Sequence, residues 1–179
     1  MINLPTAAPL RAATVTAAAA CALLLASCSS GAGQPQSQGA EETSTTTSST
    51  PLAGMEPCST LTEQQKKQLD ITEPGEILEI EEQTCTWMSG GNDFDISVYK
   101  DKPLEEINFS DVDEKEQTEV SGREALLAKE SGACSLAFAV TENSSISVNS
   151  TADTPGDTAT ACELVQKAAP MVEQNIPES

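Results

Sequence analysis

From Cys58 to Pro177 the apolar residues follow two periods, and each predicts a different element. FDISVYK (Phe94–Lys100) sets Phe94, Ile96 and Val98 on one face, CSLAFAV (Cys134–Val140) does so with Cys134, Leu136, Phe138 and Val140, and SISVNS (Ser145–Ser150) with Ile146 and Val148. Residues two apart share a face only on a strand, so these segments read as strands. REALLAK (Arg123–Lys129) reads as another. EILEIEEQTCTWM (Glu76–Met88) alternates at Leu78 and Ile80, then out of phase at Cys85 and Trp87, which predicts a strand with a bulge or break near Glu82. SGGND (Ser89–Asp93) and TENSS (Thr141–Ser145) supply turns between strands.

Helical spacing appears twice. Thr62 followed three residues later by Gln65 is a capping-box pattern and predicts a short helix over Glu63–Leu69, ended by Pro74-Gly75. Asp157 is placed to cap a second helix with the stripe Cys162, Val165, Ala169 and Val172, kinked or thinned near its end by Pro170. Lys102–Thr118 is polar and acidic, with room for one helical turn from Pro103 to Ile107. The sum is an α+β fold: an antiparallel sheet of about five strands with two helices packed on one face.

Cysteine placement adds covalent constraint. Cys58, Cys85, Cys134 and Cys162 lie in this region, none in a C-x-x-C spacing, and the chain contains no histidine. Zinc ligation is therefore disfavoured and oxidation to two disulfides favoured in an exported protein. Four cysteines allow three pairings. Cys134 on an inner strand face and Cys162 on the inner helical stripe favour one bridge; Cys58 ahead of the first helix and Cys85 beside Trp87 favour the other. Loops of a little under 30 residues make each worth roughly 3–4 kcal/mol by closure entropy.

Upstream, the composition changes. Residues 1–27 hold one charge, Arg11, followed by the apolar run ATVTAAAACALLLAS, and read as a secretory signal. The run from Ala12 to Ser27 is 16 residues long and rich in Ala and Thr, short of the roughly 20 apolar residues a span requires. Leu25-Ala26-Ser27-Cys28 resembles the bacterial lipobox, in which the cysteine thiol receives a diacylglyceryl group before cleavage just ahead of it. Cys28 is thus the expected lipidation site, with Cys21, earlier in the apolar run, the weaker competitor. Residues 28–57 then comprise the lipidated cysteine and a Ser/Thr/Gly/Pro-rich tether with little to bury. As a coil it reaches roughly 30 Å. Residues 58–179 form a single extracytoplasmic domain.

Charge narrows the partners. The chain carries −19, and losing Arg11 with the signal would make it −20. Such a surface repels phosphate, which argues against nucleic acid, and it repels anionic headgroups, so attachment to the cell membrane must come from the acyl chains on Cys28.

Met55-Glu-Pro-Cys-Ser-Thr-Leu-Thr62, Cys85-Thr-Trp87, Cys134 in a strand and Cys162 in a terminal helix ending Ile176-Pro177 together resemble the actinobacterial secreted lipoproteins grouped as domain of unknown function 3558. The resemblance implies an envelope lipoprotein and brings no catalytic residue. Pro170 and the acidic insert Asp111–Glu119 depart from that outline.

Nor do the residues themselves offer a catalytic constellation. Without histidine there is no Ser-His or Cys-His pair. The acidic run from Asp111 fails as a calcium loop, because Lys115 and Glu116 fall where an oxygen ligand and glycine are needed. Trp87 and Phe138 read as core. The expectation is a non-enzymatic, cofactor-free, lipid-anchored domain that binds a small-molecule ligand or an envelope protein. The rivals are an accessory subunit of a membrane complex without a small-molecule site and a hydrolase using carboxylates alone.

Overall fold

The computed structural model describes residues 51–109 and 112–178. Cys28 and most of the segment read as a tether lie outside them. The architecture is α+β, with one antiparallel sheet, but the sheet has seven strands rather than about five. Two segments account for the difference. EILEIEEQTCTWM is not one interrupted strand but a hairpin of β1 (Glu76–Leu78) and β2 (Glu81–Ser89), and the register shifts where Leu78 meets Glu81. The phase change in the sequence is a chain reversal at Glu79–Ile80. The second addition is β4 (Glu114–Val120), from the acidic stretch, in which only Val120 is buried. An edge strand needs one neighbour and little apolar surface, so alternation fails to mark it.

The remaining strands are β3 (Asn92–Tyr99), β5 (Arg123–Glu130), β6 (Ala133–Thr141) and β7 (Ser144–Thr151), in the order β1-β2-β3-β7-β6-β5-β4. Two meanders thus meet at β3 and β7. Ser89-Gly90-Gly91-Asn92 closes the β2–β3 hairpin with positive φ at both glycines, 58° and 95°, the conformation a two-residue turn needs to match strand twist.

Rows of facing residues build the core: Cys85, Ile96, Val148, Leu136 and Leu127 line up across five strands. Helix α2 (Thr158–Glu173) covers them with Ala161, Cys162, Val165, Ala168, Ala169 and Val172, all buried. Asp157 caps it by accepting from the Thr160 amide at 3.2 Å and the Thr160 hydroxyl at 2.7 Å. The helix continues through Pro170 to Glu173. Pro170 lies in the last turn, where the only intrahelical bond forfeited is to the carbonyl of Gln166, an exposed residue.

Helix α1 (Glu63–Gln68) has the capping box: the Gln65 amide donates to Thr62 Oγ1 at 3.3 Å and the Thr62 amide to Gln65 Oε1 at 2.8 Å. It buries no residue of its own. Leu61 and Leu69 at its ends enter the core, and Gln65 Nε2 donates to the Met171 carbonyl at 3.1 Å, which ties it beside α2. Leu52 and Met55, ahead of Cys58, belong to the same core.

The link from β3 to β4 crosses the opposite face. Leu104 and Ile107 pack there on Leu126 and Ala137, with Tyr99, Phe109 and Ala139 beside them, as a second, smaller cluster. Among the described residues, no helix is long and apolar enough to cross a membrane.

Candidate functional site

The first three strands form a limb with an unusual charge pattern. Between Lys67 and Lys100 there is no Lys or Arg, yet Asp70, Glu73, Glu76, Glu79, Glu81, Glu82, Asp93 and Asp95 all occur. The ion pairs of the described residues lie elsewhere: Lys66 with Glu63, Arg123 with Glu173, and Lys129 with Glu114 and Glu116. The limb therefore carries its negative charge without internal compensation. It also carries the exposed large apolar side chains of the described residues, Ile77 at 44 %, Met88 at 46 % and Ile80 at 90 % exposure.

These residues flank the β1 edge. On the helix side, Ile77 lines an open depression of about 790 Å³ with Pro57 and Val98, rimmed by Glu82, Lys100 and Lys102. Across the sheet, Met88 lines one of about 500 Å³ with Thr86 and the carboxylates of Glu73, Glu76, Asp93 and Asp95. The Cys58–Cys85 disulfide, with Cα atoms 5.1 Å apart, fastens the 3₁₀ turn Pro57–Ser59 to β2 behind this edge. A Cβ at Gly75 would overlap both the Trp87 indole and Cys85 Sγ, so glycine is what lets the chain entering β1 pass over them. The buried Trp87 Nε1 has no partner among the described residues.

Behind Met88 the helix-free face is polar. Asp95 faces Asn149 across β3 and β7, and Asn149 Nδ2 donates to its Oδ1 at 2.7 Å. Ser147 Oγ donates to Asn149 Oδ1 at 2.9 Å, and Thr84 and Ser97 share a hydrogen bond of 2.8 Å. Burial raises the Asp95 pKa to about 6; Asn149 opposes the rise, while Glu81 and Asp93 add to it. Burial likewise raises the Tyr99 phenol above its ordinary value, with Ser97 opposing and Glu81 and Asp95 contributing.

A family model described as a protein of unknown function (DUF3558) matches residues 23–175. The chain belongs to the DUF3558 family. No curated protein and no solved structure matches it.

In this DUF3558 domain the four cysteines form Cys58–Cys85 and Cys134–Cys162, the latter with Cα atoms 5.0 Å apart between β6 and α2. Trp87 and Phe138 lie in the core, as their spacing suggested. The acidic run tested as a calcium loop continues into β4, where Lys129 holds Glu114 at 3.1 Å. Among the described residues no group of three or more Cys, Asp and Glu is arranged to hold a metal ion.

Sequence reasoning missed the β1 edge. Its signal was present as the long gap between Lys67 and Lys100, a charge pattern visible without any structure. Another depression, of about 990 Å³, opens near β4 and β5, but there Lys115 and Arg123 interleave with Glu105, Glu124 and Glu142. Its floor includes Leu104 and Leu126, which already pack together in the smaller cluster. Neither uncompensated charge nor exposed apolar side chains mark it.

Proposed function

We propose that this protein is a lipid-anchored lipoprotein on the extracytoplasmic face of the bacterial cell membrane, whose domain binds an envelope partner without catalysing a reaction. Cys28 at the end of the apolar leader supports the anchor, and the polar, Ser/Thr-rich segment after it supports a tether that gives the domain reach from the membrane. Anchoring confines the domain to a thin layer, which raises the effective concentration for any partner in the same envelope.

The observation that carries the binding reading is the β1–β2 edge. Ile77 on β1, Ile80 at the β1–β2 turn and Met88 on the other face of β2 are all exposed, on a limb with no Lys or Arg between Lys67 and Lys100. Large apolar side chains left exposed on one limb of the sheet, and on no other among the described residues, support a contact surface there. Open depressions of this kind suit a macromolecule better than a small ligand, which binds where most of its surface can be enclosed. The same observation favours the accessory-subunit reading over an enzyme using carboxylates alone.

The test is photo-crosslinking in native membranes from positions 77, 80 and 88, followed by mass spectrometry of the products and of the N-terminal cysteine. A diacylglyceryl-modified Cys28 and a discrete protein adduct are expected. Cys28→Ser should move the protein from the membrane to the soluble fraction. An unmodified protein with an N-terminus elsewhere would remove the anchoring half of the proposal; absence of any adduct, from these or any other surface positions, would remove the binding half.

A further inference from the structure

We propose that the β1 edge receives an extended segment of a partner protein, alternating Lys or Arg with apolar residues, as an eighth strand of the sheet. This rests on the binding reading above and names its partner chemistry.

The two sheet edges are built differently. At one end β4 presents Glu114, Lys115, Glu116, Gln117 and Glu119, with Lys129 bonded to Glu114 and within ion-pair distance of Glu116, a charged rim of mixed sign that discourages pairing. At the other end β1, three residues long with a register shift at Leu78, is the outermost of the described strands and presents Glu76 and exposed Ile77, with Ile80 at the turn. Among the described residues no strand lies beside its outer backbone groups, and strand addition satisfies such groups directly.

Side chains of an added strand would point alternately to the two faces of the sheet. One set lies beside Ile77, whose exposed side chain asks for apolar residues. The other set lies beside Glu76, with Asp95 two strands further in along the same face, which asks for cations. The period-two pattern of the partner follows from this difference between the faces.

Charge also selects among occupants. A second copy would oppose one uncompensated acidic limb to another, and like charges at short range are repulsive. An anionic lipid surface is repelled for the same reason. A basic segment removes the repulsion within the limb as it binds.

The probe is a displayed library of random linear peptides selected against the full lipidated chain in detergent, with binding of enriched peptides read by anisotropy and by the emission of Trp87, the protein's one tryptophan. Enriched peptides should alternate Lys or Arg with β-branched or aromatic residues. Backbone N-methylation at alternate positions should weaken them by about tenfold or more, because it blocks strand pairing while keeping charge and side chains. Glu76→Lys and Ile77→Lys, both at exposed positions, should each cause a loss of about tenfold, with circular dichroism unchanged.

Enrichment of no peptide, or of peptides without that alternation, overturns the proposal. Equal binding of the N-methylated peptide also overturns it, since the contact is then electrostatic attraction without strand addition. Crosslinks in native membranes from a surface other than this edge would overturn it while leaving the binding reading intact.

Discussion

Asp95 lies on the helix-free face of the sheet with its carboxylate bonded to Asn149, and its pKa stands at about 6 against an ordinary 3.8. Burial is the main cause; Glu81 and Asp93 add like-charge repulsion, and the Asn149 amide offsets part of it. A pKa raised in the folded state means that the folded protein holds this proton more tightly than the unfolded chain. The associated stability is complete below pH 3.8 and is lost as pH rises through about 6. At 1.36 kcal/mol per pKa unit the full effect is about 3 kcal/mol. Water reaching the exposed side of the carboxylate screens part of it, leaving about 1–2 kcal/mol.

Asp95→Asn removes the ionisation and keeps an oxygen to accept from Asn149 Nδ2. The variant should be more stable than the parent at pH 7 to 8 by about 1–2 kcal/mol and equal to it near pH 4. The assay is urea denaturation of the oxidised protein across that range, followed by Trp87 fluorescence. Taking the difference between the two proteins at each pH cancels the titration of the other carboxylates. A difference that does not change with pH, or a variant less stable at pH 7, would refute the account of Asp95 as a buried charge.

Other substitutions test other parts of the structure. Gly75→Ala should cost about 1–3 kcal/mol and shift Trp87 emission in the native state, since the new methyl must displace the chain from the indole and Cys85. Replacing Cys134 and Cys162 together by alanine should lower stability by roughly 3–4 kcal/mol in urea titrations, because it frees α2 from β6 in the unfolded reference. Arg123→Ala should cost about 1–2 kcal/mol by the same titration, as Arg123 Nε bonds Glu173 at 2.9 Å and Nη1 bonds the Val140 carbonyl at 3.0 Å. Arg123→Lys should recover only part of this, since an ammonium cannot serve both partners in that fork geometry.

The seven strands show where sequence reading works. β3, β6 and β7 were legible because each turns its large apolar side chains to one face, which writes a period of two into the chain even in β7, where small polar residues are buried on the other face. β4 was not, because an edge strand with one buried residue carries no such record. β1 and β2 were read as one interrupted strand, since a phase shift looks alike whether it marks a bulge or a reversal. Gly75 and the surroundings of Asp95 were illegible for a different reason. Each depends on residues distant in sequence, such as Asn149 opposite Asp95.

By itself the sequence determined what is local: the capping box at Thr62 and Gln65, the Asp157 cap, the inner faces of the central strands and the cysteines that could meet. These follow from backbone geometry and from which side chains leave water, both set by near neighbours. Only the tertiary structure decided which strands became edges. Placing β7 beside β3 makes β1 and β4 outermost and buries Asp95 between strands. The acidic run before Lys100 thereby becomes an exposed rim, with Glu73, Glu76, Asp93 and Asp95 around Met88. Exposure depends on every chain segment packed against a residue, which local spacing does not record.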